Sequence, residues 1–121
     1  GCLVEGRAPT VFGDGRQTRD WVEVSDVVRA NLLAADSGVN GPVNIGCGCE
    51  TSVLDLVEAL SAASEVGQLD GVVFAPAREG EVRRSCLDPS RARAELRWEA
   101  TVDLREGLER VLIWLGKLAV N

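Results

Sequence analysis

Apolar and polar residues alternate with a period of two along Trp21-Val22-Glu23-Val24, which predicts a half-buried strand. The period then lengthens. Val28, Leu32 and Ala35 recur at i, i+4 and i+7 behind Ser25, a side chain suited to an N-cap, so a helix is predicted over about 26–35. Val43-Asn44-Ile45 reads as a short strand running into Gly46-Cys47-Gly48. Ser52 and Asp55 stand in the capping-box relation ahead of a helix to about residue 64, with Val53, Leu56, Val57 and Leu60 inward. Val72-Val73-Phe74-Ala75 is another strand, stopped by Pro76. Asp88 as cap and Pro89 as first residue open a short helix over about 90–96. Asp103 and Glu106 cap the last helix, whose stripe is Leu104, Leu108, Val111, Leu112 and Leu115. Residues 1–8 look like a helix end closed by Gly6 and Pro9; the short apolar run Thr10-Val11-Phe12 and the turn Gly13-Asp14-Gly15 follow.

Strands and helices alternate throughout, which predicts an α/β fold: a small layered domain of three to four short strands with about four helices. A chain of 121 residues fits one domain, residues 1–121, with a modest core. The stripe of the last helix is more apolar than so thin a sheet needs, so part of it is expected to serve a partner surface.

Composition narrows the function classes. A net charge of −6 argues against nonspecific nucleic-acid binding, which runs on excess cations. Twelve of the thirteen cations are Arg and only Lys117 is Lys. Arg presents a fixed fork of donors that suits phosphate and carboxylate, although an Arg-rich codon bias accounts for the excess equally well. No run approaches the roughly 20 apolar residues of a membrane helix, and Gly1 to Arg7 does not read as a signal peptide, so a cytoplasmic address is expected. Cys2, Cys47, Cys49 and Cys86 match neither a zinc pattern nor a C-x-x-C pair, and are expected to be small buried thiols, with a strained or exposed Cys47–Cys49 pair as the alternative. No metal site is predicted. The chain has no His and no Tyr, which leaves carboxylates and thiols as acids and bases, and nothing pairs them; no catalytic residue is assigned.

Three constellations remain. Gly13-Asp14-Gly15-Arg16 followed by Arg19 and Asp20 is either a phosphate-holding loop or a plain turn with solvated charges. Gly46-Cys47-Gly48 ahead of the helix near Ser52 either binds an anion at that helix terminus or serves tight strand-to-helix packing; it lacks the third Gly of a dinucleotide fingerprint. Arg78-Glu79-Gly80-Glu81-Val82-Arg83-Arg84 follows a strand, where α/β folds place ligand contacts, but alone it also reads as a solvated loop.

Taken in order, Phe12-Gly13-Asp14-Gly15, Thr18-Arg19-Asp20-Trp21-Val22, Asp26-Val27-Val28, Asn44-Ile45-Gly46, Ser52-Val53-Leu54-Asp55-Leu56, Ala77-Arg78-Glu79-Gly80-Glu81 and Asp88-Pro89-Ser90 with Leu96 and Trp98 form a set. From about residue 5 to 115 it resembles the C-terminal part of the NAD-dependent sugar-nucleotide epimerase/dehydratase family. These are the extended short-chain dehydrogenases typified by UDP-glucose 4-epimerase.

The resemblance implies that part of the fold without its Rossmann domain. The Gly-rich NAD loop and the catalytic Tyr-x-x-x-Lys pair of the family would lie before Gly1, so the chain is expected to bind no cofactor of its own and to be inactive alone. What remains would hold a nucleoside diphosphate sugar. Arg19 matches an Arg that grips the diphosphate, and Arg78 a second. Glu81 falls where an acidic residue, often Asp, bonds the ribose hydroxyls. Thr10 and Phe12 fall where the main chain of the short strand meets the base. Glu23 departs from the usual aromatic or His and suggests an exposed edge; Glu81 is one methylene longer than Asp. A different class of function, a self-associating interaction or scaffold domain derived from the family, would show as a homo-oligomer covering the apolar face that a missing Rossmann domain leaves.

Overall fold

The computed structural model describes residues 2, 5, 7–64 and 71–119, with side chains to residue 116. In chain order the elements are β1 (Thr10–Phe12), β2 (Thr18–Arg19), α1 (Val24–Ala35), β3 (Thr51–Ser52), α2 (Val53–Ala63), β4 (Val73–Ala75), α3 (Ser90–Leu96) and α4 (Leu104–Ala119). Among the described residues, four short strands and four helices make the expected α/β class. They are gathered into two compact units, Gly1–Gln17 with Ser52–Arg83 and Arg105–Asn121, and Thr18–Thr51 with Arg84–Leu104.

In the first unit β1 and β4 pair in parallel, Thr10 opposite Val73, Val11 opposite Phe74 and Phe12 opposite Ala75. The Val73 N–H donates to Pro9 C=O at 3.0 Å and the Gly13 N–H to Ala75 C=O at 2.9 Å. Alternate residues of a strand face the same edge, so Thr10 and Phe12 direct their main chain away from β4. Val11 is buried. The turn after β1 comes down on α2: the Leu54 N–H donates to Gly15 C=O at 3.1 Å and the Val53 N–H to Gln17 C=O at 3.2 Å. Ser52 and Asp55 complete the capping box the sequence predicts. The inward stripe of α2 is only half-buried.

Gly15 has φ +71, and a Cβ there would stand 2.7 Å from Leu54 Cγ and 3.0 Å from Val11 Cγ1. Gly15→Ala is therefore expected to cost about 2–3 kcal/mol, left-handed strain plus overpacking. Gly71, at φ +93 with open space around it, isolates the first contribution: Gly71→Ala should cost only about 1 kcal/mol when urea titrations of the two variants are compared.

The second unit is built on α1 and α3. Ala30, Ala92, Leu96 and Trp98 are buried together, with Val22, Val39, Val43, Ile45 and Ala100 against them. The α3 helix ends at Arg97, left-handed at φ 51, and the Trp98 N–H returns to Ala92 C=O at 3.1 Å, which turns the indole into the core. The Arg91 fork fastens the preceding loop, reaching Pro42 O at 2.9 Å and Asn40 O at 2.8 Å. The buried Asp26 side chain accepts four bonds: from the Thr101 N–H (2.8 Å) and hydroxyl (2.8 Å), the Val102 N–H (3.0 Å) and Arg29 (2.6 Å). Its main-chain carbonyl takes the Trp98 indole N–H at 2.9 Å.

Several expectations are corrected here. Val28 and Leu32 do not face the core: Val24, Val28 and Leu32 are 70%, 51% and 64% exposed. The buried face of α1 is Asp26 and Ala30, two residues and so about 200° around the helix. Satisfying one carboxylate outranked burying the longer apolar stripe. Trp21 to Val24 is not a strand; β2 ends at Arg19, and α1 begins at Val24 because the Glu23 carboxylate takes the Ser25 N–H at 2.7 Å. Glu23 is thus an N-cap and not a strand-edge charge.

Val43 and Ile45 join the core but pair with no strand among the described residues. Pro89, not Asp88, is the N-cap of α3, although the Asp88 carboxylate takes the Ser90 N–H at 2.9 Å. In α4, Val111 is exposed together with Ile113 and Trp114. The four thiols are free and none is buried: Cys2 and Cys47 are half-buried, Cys49 and Cys86 exposed. Of the helix end expected over residues 1–8, half the residues lie outside the described ones, and residues 2, 5, 7 and 8 are not helical. No described helix is long and apolar enough to cross a membrane.

Candidate functional site

Both strands of the parallel pair end in loops at the same edge, the carboxyl end, where open α/β sheets hold ligands. From β1 the chain enters Gly13-Asp14-Gly15; from β4 it enters Pro76-Ala77-Arg78 and a turn at 79–80. The Arg78 guanidinium lies over the Phe12 ring, Cζ 3.9 Å from the centroid. This cation–π contact presents the exposed guanidinium face-on. The Glu81 N–H donates to Arg78 C=O at 3.3 Å, which keeps these two in one turn. Of the predicted residues, then, Phe12, Arg78 and Glu81 are brought into one loop cluster, and Thr10 shares the strand of Phe12. The Phe12 carbonyl, assigned to a base contact, already accepts the side-chain amide of the buried Gln17 at 3.0 Å. The ring does what the sequence did not suggest for it: it seats Arg78.

The glycine turn itself is not a phosphate cradle. Asp14 sits in it, accepting the Arg16 N–H at 3.0 Å and both arms of Arg83 at 2.8 Å. Arg83 and the Arg16 N–H hold the Asp14 carboxyl down at about 2. The pair fastens the chain beyond Glu81 back to the turn after β1, so it frames the loop that carries Arg78 and Glu81. Alternation of charges in 78–84 gave no hint of which Arg would pair and which would stack.

Arg19 belongs to the second unit. It lies on β2, which pairs with β3, and its Nη1 donates to Thr18 C=O at 2.7 Å. On the other side of β2, Thr18 forms a bridge with Arg84, and Glu50 accepts Arg84 at 2.6 and 3.0 Å and the Thr18 hydroxyl at 2.7 Å. Arg84 and Thr18 hold the Glu50 carboxyl at about 2. A cavity of about 380 Å³ in this unit is lined by Trp21, Cys47, Thr51, Thr101 and Leu104 among others, and Arg19 is not part of it.

Of the two readings of the Gly46-Cys47-Gly48 turn, the anion site is not the one its amides fit. The Cys47 and Gly48 amides donate to Asp20 at 2.8 and 3.0 Å, as does the Leu87 N–H at 3.2 Å. The first amides of α2 are likewise taken, by Gln17, Gly15 and the Ser52 hydroxyl. These groups therefore do not fit the pyrophosphate of a dinucleotide. Among the described residues no cluster of His, Cys, Asp or Glu could hold a metal ion.

An Arg-bearing loop at the carboxyl end of a parallel pair defines the chain only as an α/β fold with a candidate ligand edge; comparison gives the family. Residues 3–111 match the family model for GDP-mannose 4,6 dehydratase. The UDP-glucose 4-epimerase of Mycolicibacterium smegmatis is 43% identical over 112 residues, 92% of this chain and 35% of that protein. The crystal structure of UDP-glucose 4-epimerase from Thermotoga maritima, with UDP-glucose, superposes with a TM-score of 0.91 at 41% identity, covering 97% of this chain and 37% of that one. UDP-glucuronic acid 4-epimerase of Bacillus cereus, as a Y149F mutant with a UDP-sugar and NAD, gives a TM-score of 0.86 at 31% identity, covering 96% and 37%. The chain belongs to the NAD-dependent sugar-nucleotide epimerase/dehydratase family. It spans about a third of the length of the relatives it matches.

Proposed function

We propose that the chain holds the nucleoside diphosphate of a sugar nucleotide without transforming it. The observation that carries the reading is the Arg78 guanidinium stacked 3.9 Å over Phe12 at the carboxyl end of the β1–β4 pair. A planar fork fixed by an aromatic ring gives charge-assisted bonds to phosphate oxygens at little conformational cost. Glu81, one turn on, is the ribose contact, and Thr10 and Phe12 offer the edge of β1 that faces away from β4 to the base. Arg19 lies in the other unit, and its part as a second diphosphate contact rests on the family resemblance. We treat residues 1–121 as one sugar-nucleotide-binding part, cytoplasmic, whose NAD and catalytic residues belong to the full-length family. Titration calorimetry with UDP, dTDP and their sugars tests this: binding at up to millimolar ligand is expected, with no NAD reduction. A folded sample that gives no heat overturns it.

A second reading has its own observation. The apolar stripe Val24, Val28 and Leu32 on α1 is solvent-facing, and such faces are usually covered in an assembly. Under this reading the chain self-associates, most simply as a two-fold dimer. Light scattering should then show a dimer that Leu32→Glu returns to monomer; a monomer at high concentration rejects it.

A further inference from the structure

Cys49 and Cys86 are both exposed free thiols, and the second unit lays their two segments side by side. Gly48 and Leu87, their chain neighbours, donate their N–H groups to the same Asp20 oxygen at 3.0 and 3.2 Å, so only that atom separates the two nitrogens. At Gly46 a Cβ would stand 3.0 Å from Leu87 Cβ. On the far side of Cys49, Glu50 takes both arms of Arg84, two residues before Cys86. Cys49 is therefore bracketed by residues tied to either side of Cys86. A disulfide asks for Cα atoms roughly 4.4–6.8 Å apart, a spacing that segments this closely tied bring within reach.

We propose that Cys49 and Cys86 form a reversible disulfide, a redox modification site in the second unit. The co-reactant is a small-molecule disulfide such as glutathione disulfide. The Cys49 thiolate attacks one sulfur, its S–S bond breaks, and one glutathione thiolate leaves. The Cys86 thiol then gives up its proton and attacks Cys49 Sγ, and the second glutathione leaves as thiolate. Across both steps the two protein thiols are oxidised, and the glutathione disulfide is reduced to two thiols that take up the two protons.

Cys47 stays out of the exchange because its thiol donates to Trp21 C=O at 3.1 Å. Burial and the Asp20 and Glu50 carboxylates push the Cys86 thiol up.

The test is to treat the reduced 121-residue chain with glutathione disulfide, then map the peptides and count titratable thiols. The expected result is a fall from four free thiols to two and a link between the peptides carrying Cys49 and Cys86. Cys49→Ser and Cys86→Ser should each block the link and leave a glutathione adduct, while Cys47→Ser should leave it intact. A Cys47–Cys49 link, glutathione adducts alone in the parent chain, or four unreacted thiols would overturn the proposal.

Discussion

Asp26→Ala is expected to destabilise the chain by about 3–5 kcal/mol, the range for removing one partner from a buried charged network. Asp26 is 1% exposed, and its loss removes the acceptor of two backbone amides, Thr101 N–H and the buried Val102 N–H. Asp26→Asn should cost about 2–3 kcal/mol, because one amide oxygen remains while an NH₂ meets donors. Arg29→Ala should cost only about 1 kcal/mol, since that guanidinium is partly solvated and Thr101 and Val102 still satisfy the carboxylate. Urea titration followed by tryptophan emission reads all three, as Trp98 donates to Asp26 and is fully buried. An Arg29→Ala effect as large as that of Asp26→Ala would mean that the ion pair, and not the amide tether, holds the unit.

The same group sets an acid limit. Burial raises the Asp26 carboxyl, but the bonds from Val102, Arg29 and Thr101 outweigh it, and the pKa falls from 3.8 to about 2. A depressed carboxyl stabilises the fold above its unfolded value. This contribution, on the order of 2 kcal/mol, is therefore present in full above about pH 4 and fades as the pH falls toward 2. Unfolding midpoints collected between pH 2 and pH 6 should slope in the parent, and Asp26→Asn should remove the Asp26 share of that slope while leaving the part that Asp14 and Glu50 contribute.

The second large effect concerns the ligand. Arg78→Ala should weaken UDP binding by about 10- to 100-fold, the value of one to two charge-assisted bonds to phosphate. Because Arg78 is exposed and its ring contact is local, the unfolding midpoint should barely move. Arg78→Lys keeps the charge but loses the fork, and should recover only part of the affinity. Phe12→Leu should weaken binding several-fold by releasing the guanidinium from its seat. If calorimetry finds Arg78→Ala within twofold of the parent, the diphosphate reading fails.

Local signals were legible in the sequence where local chemistry decides them. The Ser52–Asp55 box, the α3 span from Ser90 to Leu96 and the turn at Gly13–Gly15 follow from caps and glycines a few residues apart. Periodicity misled where a long-range polar bond took precedence. The Val28–Leu32 stripe promised an inner face, yet Asp26 had to meet Thr101 and Val102, which lie some 75 residues on and leave no mark at helical spacing. Val43-Asn44-Ile45 has strand composition, but strand pairing depends on a neighbour that its own residues do not encode.

In the site, Arg78 and Glu81 could be placed after a strand by eye. The Phe12 seat could not, because β1 and β4 meet in parallel across a separation of about 60 residues that no turn motif announces.

Asp20 has one more consequence. Its carboxylate is tethered beside the three amides it occupies, so they face it at an effective concentration of millimolar or higher. A free anion must outcompete a resident that never diffuses away. The glycine turn that looks most receptive to phosphate is thus already saturated by the chain itself.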